Sequence, residues 1–312
     1  MHRYFCILAL LASLSAGAKS PQRKGLATID RPYAEKLVRF LSDDSLLGRA
    51  AGTEGCIKAG NFIAAQFEEL GLEPLFDGSY FQPFSAVNRA GVEFEGLRNI
   101  CGAIPGRRAD ELVVVGAHYD HLGYDPAIEG DGIYNGADDN ASGVQAVIQI
   151  ARAVKKAGRK PERTIIFALW DGEEKGLLGS KHFLAECGCT ESIKAAINFD
   201  MIGRDTYNAA PGHVVYFYSA QNPAFGDWIR DDIATYGLCL APDCRPNERL
   251  LSGSDNASFV KHGIPFVWYH TDGHPDYHKP SDHPDGLNWD KMLEITKAAF
   301  LATWHMASEK EF

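Results

Sequence analysis

Five short segments of this 312-residue sequence carry side chains that bind metal ions through nitrogen or oxygen. They are His118 with Asp120, the run Asp138, Asp139, Asn140, the pair Glu173 and Glu174, Asp200, and His278. Taken singly, each has an ordinary explanation. Asp138, Asp139 and Asn140 make a good helix N-cap, and adjacent glutamates suit the first turn of a helix. A lone His at a strand end is commonly structural, Asp200 reads as another cap, and His278 as a loop residue. Taken together they are a set of imidazole and carboxylate donors without a thiolate, which suits Zn²⁺, with Co²⁺ or Mn²⁺ as substitutes. Two histidines and three carboxylates exceed what one tetrahedral ion with an open position needs. Shared through a bridging carboxylate, they suffice for two ions ~3.5–4 Å apart, the arrangement of metal-assisted hydrolysis.

Strands must deliver these groups to one place. Residues 112–117 and 164–170 are nearly continuous apolar runs, the pattern of buried parallel strands, and they end at His118 and just before Asp171. Residues 193–199 alternate as a strand ending at Asp200, and 265–269 precede the loop that carries His278. Strands are also expected at 80–87, 97–104 and 214–218. Helical spacing of apolar residues marks 32–41, 54–70, 141–156, 177–185, 223–236, 256–261 and 289–306. Strand and helix alternate, so the expected fold is α/β, a single-domain three-layer sandwich with a mixed, mainly parallel central sheet and helices on both faces. Open sheets of this kind bind ligands beyond the carboxyl ends of their strands, where all five segments fall. Residues two apart in extended chain face the same side, so Asp120 is positioned to accept the second ring N–H of His118. Neighbouring residues point apart, so one of Glu173 and Glu174 can bind metal while the other serves as general base.

The segments GAHYDHLG, GADDNASG, DGEEKGLLGS, NFDMIG and YHKPSD occur in this order. They resemble the co-catalytic zinc aminopeptidases of metallopeptidase family twenty-eight, whose relatives include secreted leucyl aminopeptidases, glutaminyl cyclases and glutamate carboxypeptidase II. The resemblance runs from about Asp30 to the C-terminus. It implies a zinc-dependent exopeptidase, or phosphorylase/hydrolase-like, fold and two zinc ions. His118 and Asp200 would hold one ion, Glu174 and His278 the other, and Asp139 would bridge them. Glu173 would be the base acting on a metal-bridged water, Asp120 would orient His118, and the Asp139–Asn140 peptide would be cis. The implied substrates are peptides with a free N-terminus. A glutaminyl cyclase, which typically uses one zinc, and a carboxypeptidase-type relative are the alternatives. A non-catalytic binding protein of the same family would lose ligands, and here every ligand is present. The double Asp of GADDN and the EEKGLLGS segment favour the peptidase, and the chain has no room for the extra domains of the carboxypeptidases.

Composition sets the frame. With 45% hydrophobic and 23% charged residues, the chain can bury a large core. Arg3, the apolar run 4–14 and the small residues 16–18 read as a signal peptide, residues 1–18, leaving a catalytic domain at 19–312. The run is shorter than the ~20 residues of a membrane span, so an exported, periplasmic or extracellular enzyme is expected, with a monomer favoured. Cys6 would leave with the signal; of the six remaining cysteines, Cys239 and Cys244 are the expected disulfide. A net charge of −10 without a basic stripe argues against nucleic acid or anionic membrane as partner. No nucleophile elbow, P-loop, dinucleotide fingerprint or H-E-x-x-H is present. The loops at 238–254 and 268–274 are expected to line the substrate pocket, with Tyr269 and Trp268 as candidate aromatic walls, core packing being an equal alternative for Trp268, and Asp255 as a site support or helix cap.

Overall fold

The computed structural model describes residues 20–206, 209–247 and 253–312. The expected signal peptide at 1–18 and part of the loop 238–254 lie outside the described residues. In chain order the elements are α1 (Pro21–Leu26), α2 (Arg31–Leu41), α3 (Glu54–Glu69), β1 (Glu73–Pro74), β2 (Phe81–Val87), β3 (Glu93–Ile104), β4 (Arg108–His118), β5 (Gly123–Tyr124), β6 (Ile133–Tyr134) and α4 (Gly143–Ala157). They continue with β7 (Arg163–Trp170), α5 (Leu178–Glu186), β8 (Ile193–Phe199), β9 (His213–Ser219), α6 (Ala224–Tyr236), β10 (Ala241–Asn247), α7 (Asn256–Lys261), β11 (Phe266–His270) and α8 (Trp289–Ser308). Local chemistry marks the helix starts. Asp30 accepts the Tyr33 N–H ahead of α2, Thr53 the Cys56 N–H ahead of α3, and Asn288 the Lys291 N–H ahead of α8.

One nine-stranded sheet runs β1-β3-β7-β4-β8-β11-β9-β10, with β2 also paired to β3. The four central strands β7, β4, β8 and β11 are parallel, and antiparallel β3 and β9 flank them. The apolar runs work on both faces at once. Along β4, Val113, Val115 and Ala117 join the cluster under α2, α3, α4 and α8, while Leu112 and Val114 join Phe183, Leu184 and Phe259 under α5 and α7. Side chains alternating across a strand buried on both sides require this continuous apolar pattern.

Several elements depart from the sequence reading. The short α1 and the two-residue strands β1, β5 and β6 are unforeseen, and 241–247, which carries Pro242 and Pro246, forms edge strand β10 in parallel register with β9. Prolines are tolerated there because an edge strand has a side that needs no ladder donors. The expected Cys239–Cys244 disulfide is corrected by the same strand. All six cysteines among the described residues are free. The extended chain from Ala241 at ~3.3 Å per residue carries Cys244 away from exposed Cys239, and Cys244 packs against the core instead.

Candidate metal centre

The central strand order sets the site. His118 is the last residue of β4, and the loop from Asp171 to Glu174 follows its parallel neighbour β7. Asp200 follows β8 on the other side of β4, and the loop after β11 brings in His278. Asp139 comes from the turn at Ala137–Ser142 that leads into α4, and its peptide to Asn140 is cis, as expected. His118, Asp139, Glu173, Glu174, Asp200 and His278 all line one cavity of about 240 Å³. Asp120 lies beneath it, fully buried.

The donor atoms form two groups that meet at Asp139. On one side His118 Nε2 lies 3.2 Å from Asp139 Oδ1 and 3.7 Å from Asp200 Oδ1. On the other, His278 Nε2 lies 3.2 Å from Asp139 Oδ2 and 3.3 Å from Glu174 Oε2. Ligands held ~2.0–2.2 Å from one tetrahedral ion stand ~3.3–3.6 Å apart. The separations in both groups, 3.2–3.7 Å, are close to that spacing, and each group uses a different oxygen of Asp139. The donor set therefore fits metal binding. The electrostatics agree. Burial disfavours a charge on His118, yet hydrogen bonding to Asp120, Asp139 and Asp200 and the charge of Glu173 outweigh it and raise the imidazole well above its ordinary value. The carboxylates draw positive charge to this position.

The two adjacent glutamates are driven apart. Burial raises the Glu173 carboxyl well above its usual range, with Asp255, Asp200 and Glu174 adding to the effect and His118 opposing it. Burial and Asp139 also push Glu174 up, but hydrogen bonds from His121 and His278 outweigh them and hold it at about 2. Opposed environments for neighbouring carboxyls are the usual way to separate a proton-carrying group from an ionised one.

Asp120 differs in detail from the expectation. The closest partner of His118 Nδ1 is the Asp120 carbonyl at 3.2 Å, with the carboxylate at 3.7 Å. The chain turns immediately after β4, so Asp120 does not keep the strict two-residue strand alternation. Its Oδ1 instead accepts the Glu173 backbone N–H at 3.0 Å and ties the two loops together. Asp255 precedes α7 without a side-chain cap bond. It is fully buried, and burial, with Asp120 and Asp200, pushes it to about 7 against the pull of His118 and Ser180. Of the candidate aromatic walls, Trp268 lines the cavity and stacks on Phe217, whereas Tyr269 points into the core. Tyr277, stacked on His278 at 3.8 Å between ring centres, lines the cavity as well.

Three supports were not foreseen. Arg49, fully buried and in left-handed backbone at φ 38°, uses all five guanidinium donors on carbonyls. They go to Tyr119 at 2.8 Å, Leu41 at 2.9 Å, Asn135 at 2.5 Å, Gly136 at 2.7 Å and Asp139 at 3.1 Å. Asp282 accepts the backbone N–H groups of Asp138 and Asp139, each at 3.0 Å. His121, also buried, places Nδ1 2.8 Å from Glu174 Oε1. The His118 segment, GAHYDHLG, displays His121 openly as a second imidazole, whereas nothing local marks Arg49.

The profile described as peptidase family M28 matches residues 99–303. The leupeptin-inactivating enzyme 1 of Streptomyces exfoliatus is 27% identical over 259 residues, covering 82% of this chain and 52% of that protein. A probable leucine aminopeptidase of Arthroderma otae is 34% identical over 209 residues, 64% of this chain and 55% of its own length. The chain thus spans about half the length of these curated relatives. Among solved structures, the LapA aminopeptidase of Legionella pneumophila aligns with a TM-score of 0.73 at 22% identity, covering 93% of this chain and 75% of that one. At that identity the likeness speaks to the fold.

Proposed function

This chain belongs to peptidase family M28, and from that premise we propose that it is a zinc aminopeptidase that removes N-terminal residues from peptides. The observation that carries the reading is the pair of donor groups sharing Asp139, one through each carboxylate oxygen. His118 and Asp200 would hold one zinc, Glu174 and His278 a second, and Asp139 both. Bound zinc supplies a Lewis acid for the scissile carbonyl and a lowered pKa for water. Glu173 is the general base. It lines the cavity beside the donors without belonging to either group, and its loop is anchored through its N–H to Asp120. It takes a proton from the attacking water and returns it to the leaving amine. The remaining carboxylate charge around the cavity attracts the substrate's α-ammonium group, which favours an unblocked N-terminus. Trp268 and Tyr277 wall the space for the first side chain.

A one-metal glutaminyl cyclase would need only one donor group, and a carboxypeptidase would need a cation for the substrate's C-terminal carboxylate. Among the described residues, no Lys or Arg lines the cavity. The reading includes an exported enzyme with its catalytic domain at 19–312, acting as a monomer. Export rests on the apolar run near the N-terminus. No helix among the described residues is long and apolar enough to cross a membrane. The test is Glu173→Gln. The variant is expected to keep its metal content and lose about 10²–10⁴-fold in kcat. Turnover close to that of the unaltered enzyme would remove Glu173 from the role of base.

A further inference from the structure

We propose that His121 is a positioning residue of the metal centre, donating its Nδ1–H to Glu174 and thereby presenting the other carboxylate oxygen to metal. The inference rests on the two-zinc reading above. His121, Asp139 and Glu174 lie close enough to suggest a ligand trio in their own right, but the distances separate the roles. His121 Nδ1 stands 2.8 Å from Glu174 Oε1. Two ligands of one zinc stand ~3.3–3.6 Å apart, so 2.8 Å is hydrogen-bond spacing. From Asp139 Oδ2 the same nitrogen is 3.8 Å away. His278 Nε2, by contrast, stands 3.2 and 3.3 Å from the two carboxylates, close to ligand spacing, and it meets Glu174 through the opposite oxygen, Oε2. An ionised carboxylate only accepts, so the proton of the shared bond sits on His121 Nδ1, and a protonated nitrogen does not ligate.

The imidazole is held for this task. It is fully buried. Its backbone N–H donates to the Arg49 carbonyl at 3.1 Å, and Arg49 itself grips the Gly136 and Asp139 carbonyls. Gly136 packs against the ring so closely that a Cβ there would lie 2.6 Å from His121 Cδ2. The ring therefore cannot swing away from Glu174 without displacing the turn that carries Asp139. Groups that orient metal ligands in this way typically contribute about 10–100-fold to metal affinity.

The test compares zinc binding by chelator competition in wild type, His121→Phe and His121→Asn. Phe keeps the ring without the donor, and Asn can place an amide N–H where Nδ1 stood. The expectation is that one of the two zinc sites, the one built on Glu174, loses about 10–100-fold in affinity in His121→Phe, that the other site is unaffected, and that His121→Asn recovers most of the loss. Two zincs bound to His121→Phe with wild-type affinity would overturn the proposal. Long-range ¹⁵N NMR of histidine-labelled, zinc-loaded wild type provides a second readout that needs no variant to fold. A protonated Nδ1 on His121 supports the assignment, and a metal-bound nitrogen on His121 overturns it. If the wild type binds fewer than two zincs, the two-metal reading fails, while the same NMR experiment on the metal-free protein still decides the His121–Glu174 bond.

Discussion

Replacing Arg49 with Met should be the most disruptive single change outside the donor groups. Met preserves much of the side-chain volume but removes five hydrogen bonds to buried carbonyls. A buried acceptor left unpaired costs about 1–3 kcal/mol, so five would cost on the order of 5–15 kcal/mol if none relaxed. Against this, the variant no longer buries an ion, which recovers several kcal/mol. The net expectation is a destabilisation of about 3–5 kcal/mol, or a fall in Tm of roughly 6–10 °C at about 2 °C per kcal/mol for a chain of this size. Lysine presents three donors on a compact head rather than five in a planar fork. Arg49→Lys should therefore fall between the two. The assay is thermal unfolding followed by circular dichroism, with zinc content measured on the same samples. Because two of the five bonds hold the carbonyls of Gly136 and Asp139, metal retention should drop along with Tm. A melting temperature for Arg49→Met within about 2 °C of wild type would refute the idea that this guanidinium holds the turn.

Two further substitutions test other parts of the scaffold. Gly179→Ala would place a Cβ 2.2 Å from Asn99 Oδ1 and 2.5 Å from the Asp171 carbonyl, at the base of the loop bearing Glu173 and Glu174. Overpacking of this kind costs about 1–3 kcal/mol, so Tm should fall by several degrees, and an unchanged Tm would show that the site relaxes freely. His305 sits between Asp232 and Glu309. Burial lowers its pKa, but both carboxylates outweigh that and leave it raised. A raised folded-state pKa gives stability that is complete below the unfolded value of ~6.5 and is lost as pH rises through the folded value. The stability difference between wild type and His305→Gln should thus be larger at pH 5.5 than at pH 9, by about 1 kcal/mol. An equal difference at both pH values would mean that the pair contributes no charge-dependent stability.

The central strands were readable because burial on both faces leaves little choice of residue, as in 112–117 and 164–170. Donor groups at the ends of those strands were readable for the same reason, since each follows an unmistakable apolar run. Strand β10 was missed because its prolines speak locally for a loop, and only pairing with β9 makes it a strand. Register explains why Trp268 walls the cavity while Tyr269 does not. Adjacent residues face opposite sides, and the sequence does not say which side is the cavity. Arg49 escaped notice because its meaning lies in carbonyls contributed from positions 41 to 139 and in a left-handed backbone that arginine rarely adopts. Cys239 and Cys244 looked paired because they are near in sequence, but extended chain between them carries near neighbours apart.

The central claim is a two-metal site that acts on free N-termini, and one measurement reaches both halves of it. Zinc per chain is determined on purified enzyme, and the same sample is offered leucyl-para-nitroanilide and its N-acetylated counterpart before and after chelation. The account predicts about two zincs per chain, cleavage of the unblocked substrate alone, and loss of that cleavage on chelation with recovery on adding zinc back. A chain that holds fewer than two zincs, or one that cleaves the acetylated substrate as readily as the free amine, would contradict it.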